Sequence, residues 1–168
     1  ALSATSSVTN VSCFDYCDGE ITVNASGGMP NINANMNIYN YQWNDTLFQT
    51  TSTAIGLCVN NNLLSTTYEC LITDMQGCAV TLSETITQQD QLVVTSSIVN
   101  EILCYNGSTG KLNASASGGS GTYLYMWSND APTYSTNSNN NGVAAGDYVI
   151  TVMDNKGCTA ADFITLIE

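Results

Sequence analysis

Tyr148-Val-Ile-Thr-Val-Met-Asp-Asn-Lys-Gly-Cys158 is the stretch whose reading decides the fold. Tyr148, Ile150 and Val152 recur at every second position, which places them on one face of an extended strand. Ile21-Thr-Val23-Asn-Ala25 and Tyr39-Asn-Tyr41-Gln-Trp43 have the same period. No window of helical length carries a 3.6-residue apolar stripe, so the chain reads as all-β. Asp154-x-x-Gly157-Cys158 then marks a tight turn, with the Asp side chain as its cap. An equivalent segment precedes it, in which Tyr68 leads to Asp74-x-x-Gly77-Cys78.

The correspondence extends along the whole chain. Cys13, Asp18-Gly19, Ile21, Val23 and Ala25-Ser26-Gly27-Gly28 return 91 residues later as Cys104, Thr109-Gly110, Leu112, Ala114 and Ala116-Ser117-Gly118-Gly119. Tyr39-x-Tyr41-x-Trp43 returns as Tyr123-x-Tyr125-x-Trp127. Self-similarity at a fixed period is the signature of an array. Two domains are expected, 1–90 and 91–168, each a disulfide-stapled β-sandwich built from short strands and Gly-rich turns. The first is the more elaborate, with 7 additional residues between its Gly-Gly and its Trp and 4 more between Trp43 and Tyr68. The tracts Asn31–Asn40 and Asn137–Asn141 read as polar loops. Placing Ile164-Thr-Leu-Ile-Glu168 before Ala1-Leu-Ser-Ala-Thr-Ser-Ser7 reproduces the length and register of the junction Ile86–Ser97. That match leads us to expect one cell of a linear array.

Composition narrows the function. The 168 residues include 14 acidic side chains, only Lys111 and Lys156 as bases, and no histidine, for a net charge of −12. Such a surface repels phosphate backbones and anionic lipid, so nucleic acid is not an expected partner. No long apolar run suggests direct membrane insertion. Without histidine, a Ser/His/Asp or Cys/His arrangement is impossible, and the carboxylates form no recognisable pair. No catalytic residue, cofactor or metal is therefore expected. Calcium at Asp74 or Asp154 would need several further oxygens that the neighbouring sequence does not supply.

Seven cysteines in a short chain point to an oxidising, extracellular compartment. The economical pairing is Cys104–Cys158 and, by correspondence, Cys13–Cys78, with Cys58–Cys70 private to the first domain. Each long closure would constrain the unfolded chain by roughly 4 kcal/mol. Cys17 is left over, either as a free thiol or as an intermolecular link, and it could displace Cys13. Tyr41, Trp43, Tyr68, Tyr125, Trp127 and Tyr148 are expected in the cores. The alternative is a sugar-stacking platform, with Tyr39 or Tyr123 exposed. Candidate glycosylation acceptors are the sequon residues Asn10, Asn24, Asn44, Asn106 and Asn113, together with Thr46 in Asp45-Thr-Leu47.

The combination of Cys104, Gly118-Gly119, Tyr125-x-Trp127, Ala145-Gly146-Asp147-Tyr148 and Val152-x-Asp154-x-x-Gly157-Cys158 resembles the SprB-repeat family, found in tandem in large Bacteroidetes cell-surface adhesins. The first repeat departs from the pattern between Trp43 and Tyr68. The resemblance implies that each of the two sandwiches is Ig-like, and that the chain is a secreted, non-enzymatic module of a surface filament or adhesin stalk. Its expected partners are further copies of itself, with surface glycans as a second candidate. The alternative function is a carbohydrate-binding module.

Overall fold

The computed structural model describes residues 1–33, 36–59, 63–129 and 134–168. The chain divides into two compact units, Ala1–Gln88 and Gln89–Glu168.

In the first unit, β1 (Ser3–Thr9), β2 (Gly19–Ser26) and β6 (Thr53–Leu57) form one sheet in the order β1-β2-β6. β5 (Asn40–Trp43), β7 (Ser65–Thr73) and β8 (Ala79–Thr87) form the other, with β7 central. A small hairpin, β3 (Asn31–Asn33) and β4 (Met36–Ile38), precedes β5. In the second unit, β9 (Val93–Asn100), β10 (Gly110–Ser117) and β12 (Asn139–Val143) make one sheet. β11 (Leu124–Trp127), β13 (Gly146–Met153) and β14 (Thr159–Leu166) make the other. All ladder pairings are antiparallel.

The alternation read from the sequence fixes which face of each strand is buried. On β13, Tyr148, Ile150 and Val152 point inward, and on β10 Leu112 and Ala114 meet them from the facing sheet. The first unit uses Tyr68, Cys70 and Ile72 on β7 against Ile21 and Val23 on β2. Trp43 and Trp127, 2% and 1% exposed, fill the two cores. Each indole N–H still finds a carbonyl, Thr51 O at 2.9 Å and Ser138 O at 3.3 Å, so the ring is buried without an orphaned donor. Where the outer strands of the two sheets run side by side, polar side chains join them. In the first unit the Ser6 hydroxyl donates to Glu84 and the Thr87 N–H donates to Asn10 Oδ1. In the second, Ser96 donates to Asp162 Oδ2 from both its N–H and its hydroxyl, at 2.6 and 2.7 Å.

The Asn-rich tracts differ from the loops expected. Residues 139–141 begin β12, which pairs with β10, and the Asn31–Asn40 tract contains β3, β4 and the start of β5; its positions 34 and 35 lie outside the described residues. β6 and β12 are five-residue edge strands without apolar alternation, held by ladder bonds and by two inward residues each, Ala54 and Leu57 or Asn140 and Val143. Buried Asn140 is satisfied by exchanging hydrogen bonds with Asn129, at 2.6 and 3.2 Å.

The cysteine pairing also differs. Cys17 bonds Cys58, with their Cα atoms 4.1 Å apart, while Cys70, Cys78 and Cys104 are free thiols. The expected Cys13–Cys78, Cys58–Cys70 and Cys104–Cys158 bridges are therefore absent, and Cys17 is not left over. The cause is local geometry. β7 turns Cys70 into the core between Tyr68 and Ile72, where it packs as a small apolar residue. Cys58 instead lies just beyond β6, against the loop that leads into β2. Cys13 and Cys158 are disulfide-bonded.

The Cys17–Cys58 bond spans a sequence separation of 41. Closing a loop of that length stabilises by roughly 4 kcal/mol in the chain-entropy model. The double variant Cys17→Ser/Cys58→Ser should lower the melting temperature of the first unit's transition by many degrees and leave that of the second unchanged. Calorimetry resolves the two transitions, and an unchanged first transition would contradict the assignment.

Candidate functional site

The same construction appears at one pole of each unit. After β7 the chain turns through Asp74–Cys78, and the buried Asp74 carboxylate accepts hydrogen bonds from the Gln76 and Cys78 N–H groups on Oδ1. Oδ2 reaches across to the Met29 N–H at 3.0 Å, beyond the Gly27-Gly28 turn that ends β2. In the second unit Asp154 Oδ1 takes the Lys156 and Cys158 N–H groups and Oδ2 the Ser120 N–H at 2.8 Å. Turn capping was legible from sequence; the cross-connection between the two turns was not. It also accounts for the glycines. Gly28 and Gly119 have positive φ, and a Cβ on either would lie 2.7 Å from the Asp Oδ2. Tyr39 and Tyr123 join the same pole, their hydroxyls donating to Gly27 O at 2.9 Å and Gly118 O at 2.7 Å. Each tyrosine tip is thus held in its own module. Tyr39 is buried and Tyr123 half-buried, so neither is the exposed stacking ring that a sugar platform there would need.

The opposite pole of each unit repeats in the same way. Asp15 and Asn106, both with positive φ, present their N–H groups to Gln88 Oε1 at 2.8 Å and Glu168 Oε2 at 2.7 Å. The Cys13 and Cys104 carbonyls accept the turn bonds from Tyr16 and Gly107. Tyr68 and Tyr148 anchor the segment after β6 or β12: Tyr68 binds Cys58 O and N at 2.6 and 3.1 Å, and Tyr148 binds Ala144 O at 2.8 Å. The side chains around these turns differ. In the second unit Leu103 and Tyr105 are each 83% exposed and Ile167 is 73% exposed, where the first unit has Ser12, Phe14 and Thr87. The chain enters each unit at the Asp74 or Asp154 pole, where Leu2 or Leu92 lies by the glycine turn, and leaves it at the opposite, exit pole; at the entry pole of the first unit, Met29 and Met75 are exposed.

The remaining expected residues fall as follows. Tyr41 and Tyr125 pack half-buried against their cores, while Tyr68 and Tyr148 are buried. Asn10, Asn24, Asn44, Thr46 and Asn106 are exposed, although Asn10 and Asn44 use Oδ1 to accept backbone N–H bonds. Asn113 is half-buried and donates to Ser138 and Asn139. Among the described residues, no three His, Cys, Asp or Glu side chains lie close enough to hold a metal ion. Among the described residues, likewise, no helix is long and apolar enough to cross a membrane. The outer face of the β5-β7-β8 sheet carries two adjoining shallow clefts of about 340 and 380 Å³, both lined by Gln42, Phe48 and Leu71. Exposed Phe48 is the ring that sequence reading missed, because it sits in a loop with no strand pattern.

Four aspartates are held below their ordinary value of 3.8: Asp18 chiefly by the Ser12 hydroxyl, Asp74 chiefly by the Met29 N–H, Asp162 chiefly by the Ser96 hydroxyl, and Asp45, against the desolvation that raises it, by the Gln49 side chain and N–H. A carboxyl with a lowered folded-state pKa contributes stability in full above its unfolded value and loses it as pH falls through the folded value. With no histidine present, nothing among the side chains titrates near pH 6 to oppose this. The melting temperature should therefore stay level from about pH 7 to 5 and fall below about pH 4. Asp162→Asn should shrink that fall. Stability that rises toward pH 3 would contradict the sign.

A family model, the SprB repeat, matches the chain at residues 5–48 and again at 96–132, once in each unit. No curated protein sequence matches the chain. Among solved structures it is similar to the three N-terminal domains of the highly immunogenic outer capsid protein (Hoc) of bacteriophage RB49. That alignment has 15% identity and a TM-score of 0.51, covering 98% of this chain and 57% of that one. It is similar also to a C-terminal 282-residue fragment of intimin, solved with the intimin-binding domain of the translocated intimin receptor. There the identity is 15% and the TM-score 0.51, covering 98% of this chain and 64% of that one. The chain thus spans less than two thirds of either, and at this identity the likeness concerns the Ig-like fold alone.

Proposed function

We propose that this chain, which the SprB repeat model matches once in each unit, is a non-enzymatic structural and adhesive module of the cell surface. In this reading, module pairs join end to end in a linear filament or adhesin stalk. The observation that carries it is the exit pole of the second unit. Leu103, Tyr105 and Ile167 expose large apolar side chains beside the Asn106–Glu168 hydrogen bond on a strongly acidic protein, and exposed apolar surface of this kind marks contacts. They stand in register with the smaller or less exposed Ser12, Phe14 and Thr87 of the first unit. The exposed Met29 and Met75 at the first unit's entry pole supply adaptable apolar surface for a neighbour's cap. The internal repeat supports the same reading, since modules of this kind gain length and reach by stacking.

Negative-stain imaging of the native material should show unbranched fibres of uniform width, with an axial period that corresponds to one module pair. Tyr105→Glu together with Leu103→Glu should shorten or abolish them. Isolated particles in the native material would count against end-to-end assembly.

A second reading, sugar binding, is favoured by one observation: the clefts beside Phe48 combine an exposed ring with Asn40, Gln42, Thr50 and Thr73. An aromatic face flanked by amide and hydroxyl groups suits a pyranose ring. Phe48→Ala should remove any signal on a glycan array while changing the unfolding free energy by less than about 1 kcal/mol. A signal indifferent to Phe48 would exclude this cleft.

A further inference from the structure

We propose that Cys104 of one module pair and Cys78 of the next form a disulfide that locks the array covalently, whether the next pair continues the same chain or belongs to another. The inference rests on the end-to-end reading and adds the bond that would fix it. Both thiols are free and exposed. Each lies at the pole its unit would offer to a neighbour. Cys78 closes the Asp74 turn, whose carboxylate stands against Gly28 beside Leu2 at the start of the chain. Cys104 opens the turn held by Glu168 through the Asn106 N–H, beside the apolar cap of Leu103, Tyr105 and Ile167.

The internal repeat shows what these positions do. Cys104 stands where the first unit has Cys13, and Cys78 stands where the second unit has Cys158. Cys13 and Cys158 are both disulfide-bonded. The module therefore carries oxidised sulfur at one entry-pole position and at one exit-pole position. The two reduced sulfurs are the remaining entry-pole and exit-pole members of the same set. The third free thiol, Cys70, is buried in the first core, where desolvation pushes its pKa up, so it does not compete.

The chemistry needs a disulfide oxidant of the small-thiol class, such as oxidised glutathione. The Cys104 thiolate attacks that disulfide, expelling one small thiolate and leaving a mixed disulfide. The Cys78 thiolate of the neighbour then attacks the Cys104 sulfur and expels the second. Two protein thiols lose two electrons and two protons, and the oxidant is reduced to two thiols.

The test uses the full chain, oxidised with a glutathione redox buffer and read by non-reducing electrophoresis and intact mass. Wild type should give a ladder of multimers. Cys78→Ser alone and Cys104→Ser alone should each remain monomeric, because each lacks one half of the pair. Their equimolar mixture should give a single heterodimer and nothing larger, and its digest should contain the Cys104 peptide joined to the Cys78 peptide. Matching melting curves confirm that the variants are folded. Homodimers of Cys78→Ser as abundant as the mixed dimer, or a wild type that stays monomeric, would overturn the proposal. Uniform fibres of the Cys78→Ser/Cys104→Ser double variant beside a wild type with no cross-link would leave end-to-end assembly standing and remove only the disulfide.

Discussion

One buried carboxylate per unit organises the rest. Asp74 and Asp154 each close their own turn through Oδ1 and fasten a second turn through Oδ2, so two segments far apart in sequence meet on a single side chain. A carboxylate with three backbone N–H partners is stable where it is buried, because each bond is charge-assisted. Much follows from its position. The second turn must be glycine, since a Cβ would enter the carboxylate. The tyrosine that opens the aromatic strand can then bind the freed turn carbonyl, which sets the strand that delivers Trp43 or Trp127 to the core. One hydrogen-bonded point thus aligns both sheets.

Those parts of the fold were legible where side chains alternate against a core. Tyr148, Ile150 and Val152, and their counterparts Tyr68, Cys70 and Ile72, give a period that admits only a strand with one buried face. β6 and β12 were not legible. Thr53-Ala-Ile-Gly-Leu57 and Asn139-Asn-Asn-Gly-Val143 lie at sheet edges, where ladder bonds replace apolar pattern and an asparagine pair can satisfy a buried site. The disulfide error follows from that omission. Without β6 there was no reason to place Cys58 beside Cys17, and Cys70, which stands at the inward position of Ile150, was expected to bridge to Cys58 where it instead packs as a buried thiol. The glycine pair Gly56 and Gly142, both at positive φ, was a usable signal of a matched bulge in the two copies. The contacts that join the two sheets of each unit were unreadable in principle. Ser6 and Ser96 stand at corresponding positions, but their carboxylate partners Glu84 and Asp162 lie two places apart along the matching strands.

For the candidate site, the turn-capping role of the aspartates was readable, and the chemistry of the poles was not. The two copies share a backbone plan but differ in what they expose. Ser12, Phe14 and Thr87 become Leu103, Tyr105 and Ile167, and among the cysteines Cys78 and Cys104 stay reduced where Cys13 and Cys158 do not. Sequence comparison between the copies detects these changes as substitutions. Only exposure and bonding state give them meaning, as an apolar cap and an unspent pair of thiols on modules whose cores are otherwise complete. The physical asymmetry lies at the ends, and a module with finished cores and unfinished ends is suited to an array.

The central claim is that these ends meet and are locked there by a disulfide between Cys104 and Cys78. Peptide mapping of the native surface material, alkylated before digestion and kept unreduced, tests it most directly. The array predicts a cross-linked pair that joins the segment around Cys104 to the segment around Cys78. Recovery of both cysteines as alkylated free thiols from intact native assemblies would contradict it.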